Sequence, residues 1–196
     1  MSSVDEHLDF GTITECLAVG GGRALGALNM KFKLVKNMGV DTYTKLFENC
    51  VIPVLHYGAG VWGLQAHKRL QNVQNRAMRF YLGTHKLTPT LGMSGDLGWY
   101  SLELFRIQDA IRLWNRFIKM SNDRITKKIF MWDWKQCSRN WSSEIRTIFY
   151  NADMGEYFDE MHLCSIDDIS EILKSDFEQQ WSEKIKDKVK LEHTMI

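Results

Sequence analysis

The chain has 196 residues, enough for one domain or one domain with a tail, and 44% of them are apolar, ample for a packed core. Two prolines and seven tryptophans favour packed helices over other folds. The first ten residues, MSSVDEHLDF, carry acids where a secretory signal needs bases and an apolar run, and no apolar run nears the ~18–20 residues of a membrane span.

The formal net charge of +1 hides a strong asymmetry. Residues 1–66 hold 5 basic and 6 acidic side chains, 67–139 hold 14 and 5, and 140–196 hold 6 and 13, so the blocks carry −1, +9 and −7. A middle block this basic is a candidate polyanion-binding surface. The plainer reading, a solvated helix face that balances the acidic tail, stands beside it.

In chain order, Thr12 or Thr14 is the expected cap of a first helix running towards Asn37. Gly20, Gly21 and Gly22 lie inside it, each costing about 1 kcal/mol relative to Ala. Such a helix is either broken there or packed closely against another backbone. Gly39 is the expected left-handed cap. Asp41 or Thr42 opens a second helix with Tyr43, Leu46, Phe47, Cys50, Val51 and Val54 on one face, kinked at Pro53. Gly58, Gly60 and Gly63 bracket Val61-Trp62 and suggest two backbones packed tightly around that ring.

His67–Leu82 reads as a cleaner helix, stopped by Gly83. Leu70, Val73, Ala77 and Tyr81 form its apolar stripe, and Arg69, Asn72, Arg76 and Arg79 a polar stripe beside it. Lys86 follows, and the glycine-rich Leu91–Tyr100 reads as a loop. Ser101 is the expected cap of a helix over Leu102–Met120, with Leu104, Ile107, Ile111, Trp114 and Ile118 inward and Asp109, Arg112, Arg116 and Lys119 outward. Asn122 or Asp123 opens a short helix bearing Lys127 and Lys128, and Ser142 or Ser143 caps one that ends at Tyr150. Asn151–His162 is acidic, without periodicity, and reads as a linker. Ser165 with Asp168 resembles a capping box ahead of a last helix from Ile166 to about Leu191. The fold class expected is all-α: a helical array over residues 1–150, then an acidic linker and C-terminal helix over 151–196.

Sites with their own chemistry are scarce. Cys16, Cys50, Cys137 and Cys164 are widely spaced and form no CxxC pair, which fits reduced thiols in a cytosolic or nuclear protein. His56, His67 and His85 are scattered, and His162 with Cys164 is a lone pair, so neither a metal nor a cofactor is expected. The glycines of GGGRALG lack the Gly-Lys-Ser/Thr ending of a phosphate loop, and no serine sits in a nucleophile-elbow setting. What remains is basic: Arg69, Arg76, Arg79, Lys86, Arg112, Arg116, Lys119, Lys127 and Lys128 are the candidate nucleic-acid contacts. Trp99, Trp132 and Trp134 lie among them and either stack on unpaired bases or anchor the core; for Trp99, as for Trp114, the core role is favoured.

Several blocks, in order, resemble a known family: HLDF at His7–Phe10, GGRALGAL at Gly21–Leu28, YTKLFENCVIPVLHYGAGVWG at Tyr43–Gly63, QNRAMRFYLGTHKLTPTL at Gln74–Leu91, GDLGW at Gly95–Trp99, RLWNRFIKM at Arg112–Met120, RITKKIFMWD at Arg124–Asp133 and NWSSEI at Asn140–Ile145. The set is similar to the region that follows the polymerase core in reverse transcriptases of non-LTR, LINE-like retrotransposons. It covers most of residues 7 to about 150 and thins beyond Asn151. Each block is weakly specific, and their order gives the resemblance its strength. It implies a parent that carries out RNA-directed DNA synthesis in target-primed retrotransposition. That chemistry needs paired aspartates holding two divalent metals. The only Asp-Asp pair, Asp167-Asp168, follows Ser165-Ile166 rather than an aromatic residue and reads as a helix start.

The chain thus looks like a truncated, thumb- or connection-like piece without its polymerase core. The expectation is no activity of its own, with weak, non-specific contact to RNA or DNA backbone and no membrane partner. The other reading is a structural or protein-interaction bundle, a relic with no selected activity.

Overall fold

The computed structural model describes residues 10–65 and 67–194, with side chains described as far as residue 186; His7–Asp9 of the first family-like block lie outside them. The described residues form α-helices and no strands, as expected. No helix among them is long and apolar enough to cross a membrane. The chain divides into two compact units. One comprises the chain up to Gly58 with Gln65–Leu102, and the other Ala59–Leu64 with the chain from Glu103 onward. The chain passes from one unit to the other at Gly58–Ala59, Leu64–Gln65 and Leu102–Glu103.

The first unit holds α1 (Gly11–Val35), α2 (Val40–Cys50), α3 (Ile52–Leu55), α5 (Lys68–Leu82) and α6 (Thr90–Leu97). α1 is unbroken through Gly20, Gly21 and Gly22, which settles the alternative in favour of close packing. A Cβ on Gly21 would collide with Leu55 Cδ2, and Leu55 is fully buried. Thr12 and Thr14 do not cap α1, whose N-cap is Phe10; the Thr14 hydroxyl donates to Gly11 O at 2.9 Å. The helix ends at Lys36, at φ 63°, while Gly39 is extended and precedes α2 instead. Pro53 does more than kink its helix. α2 ends at Cys50, and Pro53 occupies the first turn of α3, where its missing N–H costs nothing.

Tyr43 and Phe47 of α2 sit at the centre of this unit. Trp99 stacks on Phe47 at 4.6 Å and donates from Nε1 to Thr44 Oγ1 at 2.8 Å. Phe32 meets Tyr43 edge-on at 5.7 Å. Leu91–Tyr100 is not a loop: residues 90–97 are α6, closed by Gly98 at φ 64°. Met93 is its buried anchor, and its glycines concealed the periodicity.

The second unit holds α4 (Ala59–Trp62), α7 (Leu102–Lys119, entering the unit at Glu103), α8 (Ile125–Gln136), α9 (Trp141–Asn151), α10 (Gly155–Asp159) and α11 (Ile166–Thr194). Its core is Trp114, fully buried, stacked with Phe158 at 5.4 Å and edge-on to Phe130 and Phe149. α4 lies tight on α7, as the glycines around Trp62 suggested. A Cβ on Gly60 would lie 2.9 Å from Asp109 O, and Arg106 Nε donates to Gly63 O at 2.9 Å.

α9 is capped by Asn140 rather than Ser142 or Ser143, with Ser143 completing a reciprocal capping box. Ser142 is buried and donates from N and Oγ to the Asp133 carboxylate. Asn151–His162 is no linker: Ala152, Met154 and Phe158 are buried in the Trp114 core, as are Cys164 and Ile169. Ser165 Oγ accepts from Asp168 N at 3.3 Å, one half of the expected box.

Two stability predictions follow from this packing. Gly21→Ala should lower unfolding free energy by roughly 1–2 kcal/mol through overpacking against Leu55. Gly26→Ala, with nothing within 4 Å of the added carbon, should raise it by about 0.5–1 kcal/mol. Urea titration of both variants checks the pair; equal effects would sink the close-packing account.

Cys164 is a second test, because burial, helped by Asp168, pushes its thiol up from 9.0 to about 11. Between those values the unfolded chain has released a proton that the folded chain keeps, so this stabilisation is complete below pH 9 and lost as pH rises through 11. Burial raises the Tyr43 phenol as well, which adds a loss in the same direction from about pH 10. Cys164→Ala should therefore flatten the stability decline that the parent shows between pH 9 and 10.

Candidate nucleic-acid interface

The nine basic residues singled out in the sequence fall into two sets, one on each unit. On the first, α5 turns Leu70, Val73, Ala77 and Met78 inward, which leaves Arg69, Asn72 and Arg76 on its outer side. These three and Val73 face Glu15, Ala18, Val19, Gly22 and Arg23 of α1 across a groove of about 470 Å³. Gly22 lets Arg76 lie over α1, since a Cβ there would sit 2.9 Å from Nη2. Arg69 pairs with Glu15 at 2.6 Å, both exposed, an interaction of roughly 0–1 kcal/mol. Arg79 is half-buried, with Nη1 3.5 Å from Asn75 O, and contributes less open charge. Lys86 is exposed between α5 and α6.

On the second unit, Ala110, Ile111 and Trp114 hold the inner face of α7 in the core. Arg112, Arg116 and Lys119 therefore stand on the opposite side, all exposed. With Asn115, Met120, Ser121 and Arg124 they line a groove of about 590 Å³ that includes no carboxylate. Arg112 is partly engaged, donating from Nη1 to Asp109 Oδ1 at 2.7 Å. Burial raises the Asp109 carboxyl, and the Arg112 hydrogen bond opposes that rise. The groove is braced by Asn115, whose Nδ2 donates to Cys164 O at 2.7 Å while its Oδ1 accepts from Cys164 N at 2.9 Å. The acidic segment docks on α7 through this pair and through buried Ile169, so it leaves the arginines uncovered.

Lys127 does not belong to the set. It is 6% exposed, and its ammonium donates to Phe117 O at 2.9 Å and Ile118 O at 3.2 Å, carbonyls in the last turn of α7. Desolvation lowers its pKa. Its neighbour Lys128 is exposed. Among the tryptophans, Trp99 is in the core, and Trp134 is half-buried and donates to Phe158 O at 3.2 Å. Trp132 is 63% exposed.

Sequence reasoning missed Arg23 and Arg124. Arg23 sits in a glycine-rich stretch read for packing alone. Arg124 precedes α8, whose start was expected one or two residues earlier; counting back from Ile125 would have found it. The Asp167-Asp168 pair lies in the first turn of α11, and no cluster of three or more potential metal ligands occurs among the described residues. The four cysteines are unpaired thiols. No family model matches the sequence, and no curated protein or solved structure matches it.

Lys127→Met should cost about 1–3 kcal/mol of stability, because it leaves two carbonyls without their charged donor. Thermal or urea unfolding reads this directly; a variant as stable as the parent would remove Lys127 from its capping role.

Proposed function

We propose that the chain is a helical accessory region that supports nucleic acid by its phosphate backbone, with no chemistry of its own. The observation that carries this reading is the second-unit groove, where Arg112, Arg116, Lys119 and Arg124 converge without a lining carboxylate. Cations on one helical face neutralise phosphates and release counterions, which gives affinity without sequence preference. The ordered sequence blocks support the finer proposal, that the parent is the RNA-directed DNA polymerase of a non-LTR retrotransposon and this chain its post-catalytic piece. The helical architecture is compatible with such a role. An intracellular setting is part of the same proposal, supported by four free thiols, of which Cys16 and Cys50 are exposed.

A second reading has one specific observation behind it. α1 exposes Met30 and Leu34, one turn apart and 67% and 72% exposed, with Val35 beside them at its C-terminal end. A protein-interaction bundle would use that face and leave the basic grooves idle.

Fluorescence anisotropy against an RNA hairpin and a matched DNA duplex, across a salt series, separates the two. The parent should lose affinity steeply with salt. Replacing Arg116, Lys119 and Arg124 together by Gln should reduce the slope of log affinity against log salt by roughly 2–3. Lys127→Met should leave that slope unchanged. Absence of binding at low salt, from protein that circular dichroism shows to be folded, would favour the interaction bundle.

A further inference from the structure

The α8 helix is apolar on two sides, and only one is used for packing. Its inner side buries Phe130 and Lys127 and half-buries Trp134. Its outer side presents Ile125, Ile129 and Trp132, 75%, 60% and 63% exposed, at the i, i+4, i+7 spacing that aligns them along one face. A 100° step per residue places Lys128 and Lys135 together along one edge of this strip, with Arg124 at its start. Both lysines are exposed. On the opposite edge stands Asp133, whose carboxylate is taken up by Ser142. Arg124 also lines the groove of Arg112, Arg116 and Lys119, so the strip continues that cationic surface.

We propose that this face of α8 receives unpaired bases of a single-stranded nucleic acid, with Trp132 as the stacking platform and phosphates running along Arg124, Lys128 and Lys135. The inference rests on the backbone-binding reading above and adds to it the kind of strand bound. The argument is one of complementarity. A single strand offers aromatic faces on one side and anionic phosphates on the other, and the strip offers a large ring beside a row of cations. A duplex hides its base faces within the stack and has no use for the ring. A protein partner of ordinary composition would meet three cations on one edge with no acidic counterpart there to balance them. The strip is also narrow: one indole and two isoleucines suit a base or two better than an extended apolar partner surface.

The test uses the full chain, with Trp132→Ala and Trp132→Phe. The position is on the surface, so neither variant should disturb the fold, and circular dichroism checks this. Anisotropy at low salt is read with pyrimidine-rich single strands of RNA and of DNA, and with a duplex. Trp132→Ala should weaken single-strand binding about tenfold and leave duplex binding within about twofold, with most of the loss recovered in Trp132→Phe. If the parent binds both forms and Trp132→Ala binds single strands equally well, the proposal is overturned while the groove reading survives. If the parent binds no nucleic acid, both fail together. Binding to phosphatidylserine vesicles that depends on Trp132, with nucleic-acid affinity unmoved, would assign the face to a membrane surface and also overturn it.

Discussion

Burial of Trp114 orients the second unit. The indole is enclosed by Phe130, Phe149 and Phe158, and its Nε1 donates to His162 O at 3.1 Å. Burying a ring of this size removes on the order of 200 Å² from water, a gain of roughly 5 kcal/mol as an upper estimate. Arg112 and half-buried Asp109, the ion pair on the same helix, contribute roughly 0–1 kcal/mol. The apolar term therefore decides how α7 is rotated. Residues two below, two above and five above Trp114 are carried some 140–200° round the helix from it, and these are Arg112, Arg116 and Lys119. The cationic groove follows from where the tryptophan must go.

The first unit reaches a comparable arrangement by different means. Here the constraint is backbone approach: α1 can lie against α3 and α5 only where side chains are missing, at Gly21 under Leu55 and at Gly22 under Arg76. Losing three side chains from a helix interior costs helix propensity, about 1 kcal/mol each. Close packing on a fully buried leucine offsets part of that cost. Gly26, where an added Cβ would meet nothing within 4 Å, has no such return, and its presence has no packing explanation within the unit.

Much of this was legible in the sequence, for physical reasons that differ by element. α5 and α7 alternate apolar and polar residues at the helical period and end at a glycine or a polar turn, so both their extent and their outward residues could be read. α6 and α10 could not. Each is short, and α6 is diluted by Gly92 and Gly95; each is held by one or two buried anchors, Met93 and Phe158. Tertiary contact, not local pattern, fixes such elements. Lys127 failed for a related reason. A lysine on a short helix counts as surface charge by default, and only the neighbouring helix end, brought close by the α7–α8 turn, shows that its ammonium is consumed by carbonyls.

Charge follows a different logic from fold. The whole chain is nearly neutral, and its acidic C-terminal third is covalently bound to its basic middle. Simple attraction would lay one on the other and leave no site. The segment instead docks by Ile169 and by the Asn115–Cys164 hydrogen bonds, and Arg112, Arg116 and Lys119 beside Asn115 stay exposed. At physiological ionic strength, charges more than about 8 Å apart in solvent are largely screened. An anionic ligand in the groove therefore responds mainly to Arg112, Arg116, Lys119 and Arg124, the charged side chains that line it. A neutral chain can present a strongly cationic surface when apolar packing, rather than ion pairing, determines where its acidic segment lies.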